Sequence, residues 1–495
     1  MDTSLSQGLD NADTETSMVQ RAPVPNEQMV PDLLKVSPMQ TSTATDVETS
    51  ITEPVVISDT FCRFVLLNKG ILHSHSKVIL GVTAPDAFNR FYAPNVGVSS
   101  LIKRCALKVG TKTLQEIDGY NFLTAYKSMF INNEHQLERE LVQSGRAICH
   151  EFRYSDATDT TGGANNDTRA FTYGLSTGKE YSTTAGVGDV RLPDFANVKN
   201  SPVFQIALSE LFPMLKQTQL PLYMMKEQVS IELHFSDATE RCQSASSVAT
   251  ASYAIDQDEV KFIADYIYYP QNMMDAYAAA NQSITINHFD YRHSKYSLTS
   301  ATAAQQQIRN LGGAGRIVTK VISGVQADTT DDISILNKYH SMVPEPDYVF
   351  GQAQDGARAN GSITYNIKYN DRFLYPIDVK NSARHFHNVA QAEGVPPFVT
   401  REEYAGEGVA LTNDKFMGYI QSEGRTAGAD GRGVFGRFGW LSNRLNRNER
   451  VNSRGIELFF KYDTLDNGGS FTQRSWIEMV KITQLNNGYV FTALA

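Results

Sequence analysis

Two His-x-His pairs, His73-Ser74-His75 and His385-Phe386-His387, are the residues best spaced for chemistry. On an extended strand, side chains at i and i+2 share a face, so either pair could offer two imidazoles to a divalent metal. Metal barrels built on such a pair also place a glycine six residues before it and a glutamate four or five after it. Here Leu67 and Val379 stand at the glycine positions, and Ile79-Leu80 and Gln391-Ala392 replace the glutamate. Both pairs therefore read as solvated or hydrogen-bonded loop histidines. Gly431-Arg432-Gly433-Val434-Phe435-Gly436 satisfies GxGxxG, but a dinucleotide site needs a buried strand before it and a helix after it. The approach, Ser422 to Gly428, is polar, so the motif reads as a surface loop with Arg432 and Arg437 turned to a neighbour.

Other catalytic patterns are missing from the sequence: no GxxxxGK[ST], HExxH, GxSxG or EF-hand loop occurs. The carboxylate pairs Asp331-Asp332 and Glu402-Glu403 sit in polar stretches and read as solvated charges. Cys62, Cys105, Cys149 and Cys242 form no CxxC pair, and they read as reduced core thiols rather than zinc ligands or disulfides. No nucleophile, base and oxyanion donors converge. The expectation is a non-enzyme with no catalytic, cofactor-binding or metal residue and no cofactor.

The scaffold that carries these residues is large. At 495 residues the chain exceeds the size at which one core stops growing, so two domains are expected. Its charge is uneven. Between Met1 and Thr60 stand ten acidic and two basic side chains, a net of −8, which leaves only −1 of the total −9 for the rest of the chain. A nearly neutral body with an acidic arm does not match nucleic acid, which selects clustered Lys and Arg. Residues 1–53, rich in Ser, Thr, Asp, Glu and Pro, are expected to form a flexible arm; the cluster Val30-Pro31-Asp32-Leu33-Leu34 is suited to docking on a partner. No basic-then-apolar start occurs, and no apolar run is long enough to cross a bilayer. Neither signal peptide nor membrane span is expected, and synthesis is placed in a cytoplasm or nucleus. The N-x-S/T triplets at Asn166, Asn281 and Asn360 then read as chance.

From Val55 onward short strands dominate. Val229, Ile231, Leu233 and Phe235 alternate with Ser230, Glu232 and His234, which predicts one buried and one polar face. Ile363 to Tyr369 and Ile456 to Tyr462 repeat the pattern, and 61–67, 77–82 and 105–109 are further apolar runs. Helix signals are confined to 134–144 and 273–280, both expected in inter-strand loops. Long polar insertions are expected at 156–193, 236–251, 327–360 and 406–446, lengths that are usually functional. Ile231-Glu232-Leu233-His234-Phe235 and Ile456-Glu457-Leu458-Phe459-Phe460 match at four of five positions, and each precedes one more apolar strand, 259–269 and 476–485. A duplicated all-β unit follows.

Several segments, in order, resemble one family. Phe212-Pro213, Leu220-Pro221-Leu222 and Gln228 to Leu233 are similar to a proline-punctuated loop and strand of double jelly-roll major capsid proteins. Ala106 to Gly110 with Ile117-Asp118-Gly119, and Ala264 to Tyr269, resemble further segments of the first roll. Tyr369-Asn370-Asp371-Arg372-Phe373 and Val480 to Gly488 resemble segments of the second. The resemblance covers roughly 55–495 and points to the adenovirus/tectivirus lineage, within its polinton-like virus, virophage and giant-virus branch. Asp265 stands where Glu is usual, and the Glu-Arg pair expected near 271–274 is absent.

The resemblance implies an all-β chain of two tandem eight-stranded jelly rolls, with an arm at 1–53, one roll at 54–270 and the other at 271–495. It implies a virion coat subunit that forms homotrimers, pseudo-hexameric blocks of an icosahedral double-stranded DNA virus shell. Partners would be its own copies, neighbouring capsomers and, through the arm, minor capsid and penton proteins. Sequence-specific nucleic-acid binding is not implied, and an internal membrane only indirectly. Rival readings are a glycan- or receptor-binding β-sandwich of a virion, and a metal enzyme on a cupin-like double barrel.

Overall fold

The computed structural model describes residues 46–83, 96–127, 203–216, 218–237, 254–298, 305–327, 363–379, 382–393, 440–445, 449–462 and 471–494, with a few short segments between them. Eight strands of the first half are β1 (Asp46–Thr52), β2 (Phe61–Val65), β3 (Lys77–Thr83), β4 (Ile102–Val109), β5 (Lys112–Asp118), β6 (Val203–Ala207), β7 (Val229–Phe235) and β8 (Ala254–Tyr268). They form two sheets in the orders β1-β8-β3-β6 and β2-β7-β4-β5, with the two-residue strand Val56–Ile57 paired along the outer edge of β2. The second half supplies β9 (Ser283–Leu298), β10 (Gln305–Gly312), β11 (Val318–Ala327), β12 (Ile363–Tyr369), β13 (Arg372–Phe373), β14 (Leu441–Arg444), β15 (Ile456–Tyr462) and β16 (Phe471–Asn486). Their orders are β9-β16-β11-β14 and β10-β15-β12-β13. Adding eight to each label converts one half into the other, and these pairings are antiparallel. A final strand, β17 (Tyr489–Leu494), pairs with β16 where Ile71–Leu72 pairs with β8. Both halves are jelly rolls.

The duplicated pentapeptides lie in equivalent strands. β7 runs between β2 and β4, with Ile231 opposite Phe64 and Leu107; β15 runs between β10 and β12, with Leu458 opposite Arg309 and Ile367. The alternating apolar side chains are buried as their spacing predicts, but the polar face of β7 is not solvated. Ser230 and Glu232 are buried too, and Glu232 is held by Lys108 at 2.6 Å, with Arg63 at 3.9 Å. A central strand has neighbours on both edges, and these supply the cations that make the buried carboxylate tolerable.

Three longer helices among the described residues punctuate the strands: α1 (Tyr120–Lys127) after β5, α2 (Gln271–Ala280) between the rolls, and α3 (Ser382–Glu393) after β13. The helix expected at 273–280 is α2, started by Pro270 and carried by Ala278, Ala279 and Ala280. That expected at 134–144 lies almost wholly outside the described residues, as do most of the four long insertions. One expectation needs correction. The arm does not extend to residue 53, because 46–52 form β1, paired residue for residue with Thr52 opposite Phe262 and Asp46 opposite Tyr268.

Each roll has an apolar core, the first around Phe64, Leu107, Ile231 and Phe262, the second around Val321, Tyr365, Leu458 and Ile477. The first does not stop at β8. It continues through Ile284, Ile286, Trp440, Trp476, Leu485 and Val490 of the second half. The rolls share buried surface.

Candidate functional site

Neither His-x-His pair forms a two-imidazole face. His73 is buried and His75 exposed in a turn, where the His75 amide donates to His73 Nδ1 at 3.1 Å. Burial and the neighbouring His75 hold the His73 imidazole below its usual pKa. The second pair lies on α3 rather than in a loop, and residues two apart on a helix point to opposite sides. His385 is fully buried against the Tyr365 ring and His387 is exposed. In the GxGxxG stretch, Phe435–Gly436 pairs with Ser341–Met342, and the next described element is a strand, β14, not a helix. The glycines at 431 and 433, the carboxylate pairs at 331–332 and 402–403, and Arg432 and Arg437 lie outside the described residues. Among the described residues no three His, Cys, Asp or Glu side chains gather as a metal site requires. Cys62 and Cys105 are free and buried, and burial pushes the Cys62 thiol up to about 12 and Cys105 higher still.

What the fold does build is a seam. Strand β5 and helix α1 of the first roll dock on β9, β16 and β17 of the second. At one end Lys112 Nζ donates to the Val490 carbonyl at 2.6 Å and lies over the Phe491 ring. Gln115 Nε2 donates to the Phe289 carbonyl at 2.6 Å, and Lys481 Nζ reaches the Thr113 carbonyl at 3.3 Å while pairing with Asp290 at 3.1 Å. Further along, His293 Nδ1 meets Asp118 Oδ2 at 2.7 Å, and Trp476 Nε1 donates to the Asp118 carbonyl at 2.9 Å. The His293 and Trp476 rings are stacked, 4.7 Å between centroids. Burial raises the Asp118 carboxyl, but the hydrogen bond and charge of His293 outweigh it, leaving it below the usual carboxylate range.

Gly119 explains how the indole comes so close. Its φ is +66°, and a Cβ there would stand 2.8 Å from Trp476 Cζ2. The Ile117-Asp118-Gly119 segment thus performs three local tasks: a carboxylate for His293, a carbonyl for Trp476, and an empty space for its ring.

Beyond it lies a mostly buried polar cluster. Lys127 Nζ reaches Tyr291 OH at 3.2 Å; Tyr291 and Thr319 donate to Glu478, each at 2.8 Å. Lys320, Ser442 and Tyr126 converge on Glu393 at the end of α3. Burial pulls the Lys127 ammonium down to about 8 in spite of Glu478, and lifts the Tyr126 and Tyr291 phenols well above their usual range. All of this is chemistry of attachment. It locks two sandwiches side by side as one rigid block.

A sequence-family model described as "Major capsid protein N-terminus" matches residues 57–270, the first roll from its second strand to its last. The chain is a major capsid protein of the double jelly-roll lineage. Among solved structures, the Sputnik virophage shell matches with a TM-score of 0.52 at 11% identity, covering 95% of this chain and 94% of that one. The PBCV-1 VP54 protein, fitted into a reconstruction of Sputnik, matches with a TM-score of 0.50 at 10% identity, covering 93% and 99%. At such identities the likeness is one of fold. No curated protein matches. The subunit is structural, its place is the virion coat, and its working surfaces are those it turns to other copies in that coat. Sequence reasoning marks Ile117-Asp118-Gly119 through resemblance but assigns it no task. His293, Trp476 and Lys127 escape it altogether, since nothing local signals a partner that lies in the other half of the chain.

Proposed function

We propose that the capsid subunit closes into a homotrimer whose six jelly rolls form a pseudo-hexagonal block, and that such blocks tile the icosahedral shell of a double-stranded DNA virus. The observation that supports this most directly is the repetition of one sheet order twice in one chain, with the two copies held side by side by the seam. Two similar blocks per chain turn three chains into six similar edges, and a cyclic trimer satisfies its head-to-tail contacts by closure. Permanent interfaces of this kind bury about 2,000–5,000 Å². The boundary between the rolls falls at 270/271, between the end of β8 at Tyr268 and the start of β9 at Ser283. The acidic arm engages minor capsid or penton proteins, and the genome is contacted through another protein, since the body carries no net cationic charge.

Negative-stain microscopy and light scattering of the purified full chain test the reading. Trimer-mass particles with a hexagonal outline are expected. A monomer at all accessible concentrations overturns it.

A further inference from the structure

The two rolls repeat each other so closely that a departure from the repeat calls for a physical reason. In the first roll β8 outruns β3, and the short strand Ile71–Leu72 of the same roll pairs with the overhang at Ile267 and Tyr266. In the second, β11 accompanies β16 from Phe471 to Met479, and residues 481–486 pair instead with β17. That strand follows every other described element in the chain. The position is equivalent; the source of the strand is not.

The overhang of the second roll does not serve the second core. Ile284, Ile286, Leu485 and Val490 are buried, and all four belong to the core of the first roll and none to that of the second. Leu485 and Val490 pair across β16 and β17 and so share one face. Lys481, two rungs further along that face, reaches the Thr113 carbonyl of the first roll.

Among the described strands β17 is hydrogen-bonded to β16 alone, yet the first roll grips it at two points. Lys112 Nζ donates to the Val490 carbonyl at 2.6 Å and lies 4.4 Å from the Phe491 ring centroid. Lys226 Nζ lies 5.0 Å from the Tyr489 ring centroid, and the Lys226 amide donates to the Gly488 carbonyl at 2.9 Å. Gly488 has φ +83°, and a Cβ there would stand 2.7 Å from the Met224 carbonyl oxygen. The chain thus turns into β17 in close contact with a loop of the other roll.

Domains joined by a modest polar interface move independently, and a large apolar interface removes that independence. Here the join is more than an interface between two finished cores, because one of the cores is built from both halves. We infer that β17 is a clasp that completes the first roll, and that the two rolls form and open as one cooperative unit. The first roll does not close its core until residues 489–494 are in place. The clasp therefore acts as a check on completeness: a chain broken off within the second roll carries an unfinished core in the first and presents no rigid block to other copies. This property belongs to the single subunit and holds whether or not three of them join.

Native-state hydrogen exchange of the full chain, read by mass spectrometry, tests the inference. The slowest amides of β4 and β7 in the first roll and of β12 and β15 in the second should share one opening free energy. Val490→Ala, which trims a buried side chain of the clasp, should speed exchange in all four strands by about tenfold. Val321→Ala, in the core of the second roll, should speed β4 and β7 by the same factor as β12 and β15. A chain ended after Asn487 should keep no slow amides in either roll. Faster exchange confined to β16 and β17 in Val490→Ala overturns the inference. So do two separate melting transitions of the full chain, or first-roll protection that survives the truncation; each of these outcomes leaves the proposed function standing.

Discussion

His293 and Asp118 meet across the seam with 2.7 Å between Nδ1 and Oδ2, one on the first strand of the second roll and the other at the end of the fifth strand of the first. The pair ties the rolls together at a point where the carboxylate is half exposed and the imidazole almost enclosed. Because Asp118 titrates below its free value, its contribution to stability is present above the ordinary aspartate pKa of about 3.9 and lost as pH falls through the lower folded value. Asp118→Asn should therefore destabilise at pH 6 by about 0.5–1 kcal/mol, a modest figure because solvent screens an exposed pair. The difference from wild type should shrink toward pH 2.5. Thermal unfolding at both pH values checks this; an equal deficit at both would assign the loss to packing instead.

Gly119 and Trp476 make the sharpest packing prediction. Gly119→Ala must both hold φ +66° and find room 2.8 Å from Trp476 Cζ2, so a loss of about 1–3 kcal/mol is expected. Trp476→Ala, which empties a fully buried site, should cost about 3–5 kcal/mol. The two should not add. Once the indole is gone, alanine at 119 has space, and the double variant should lose less than the sum. Denaturant unfolding of the four proteins measures the coupling.

The parts of this molecule legible in sequence are those governed by local period. Val229 to Phe235 and Ile456 to Tyr462 announce themselves as strands because every second side chain enters a core, and their match at four of five positions locates the duplication. Burial of the second face of β7 is not legible, since it depends on Lys108 and Arg63, which are brought to Glu232 only by folding. β1 reads as arm because Asp46-Val47-Glu48-Thr49-Ser50-Ile51-Thr52 is half polar, and its order comes from β8, the last strand of the roll that β1 begins. α3 is hidden for a related reason: the His-x-His spacing invites a strand or loop reading, whereas burial of His385, Asn388, Val389 and Ala392 follows a helical period that crosses the motif. The seam is invisible as a whole, because Asp118 and Trp476 are 358 residues apart.

Lys127 predicts a pH dependence of the same sign in an alkaline window. Its folded pKa of about 8 lies below the free value of about 10.4, so between those limits the unfolded chain holds a proton that the folded chain has released. Stability attributable to this residue therefore rises as pH goes from 8 to 10. Lys127→Met removes the buried charge and leaves Tyr291 and Thr319 still donating to Glu478. Because burial outweighs Glu478 at Lys127, the variant should match or exceed wild-type stability at pH 7, and this advantage should disappear by pH 10. Melting curves across that range are the measurement; an advantage that grows with pH would reverse the assignment.

An arm extending to residue 53 would make two truncations equivalent: removing 2–45 and removing 2–53. The presence of β1 makes them differ. The shorter deletion spares every residue that pairs with β8, so it should leave a folded subunit of wild-type melting temperature that still forms trimers and fails only in shell assembly. The longer one strips β1 from β8, exposing the edge of a strand whose Phe262, Ala264 and Tyr266 belong to the core. Loss of trimers is expected, together with concentration-dependent association through the newly open β8 edge. Size exclusion with light scattering separates the outcomes. If both truncations remain trimeric, β1 is dispensable for subunit contact; if both are monomeric, the contact lies within residues 2–45 and not on the strand.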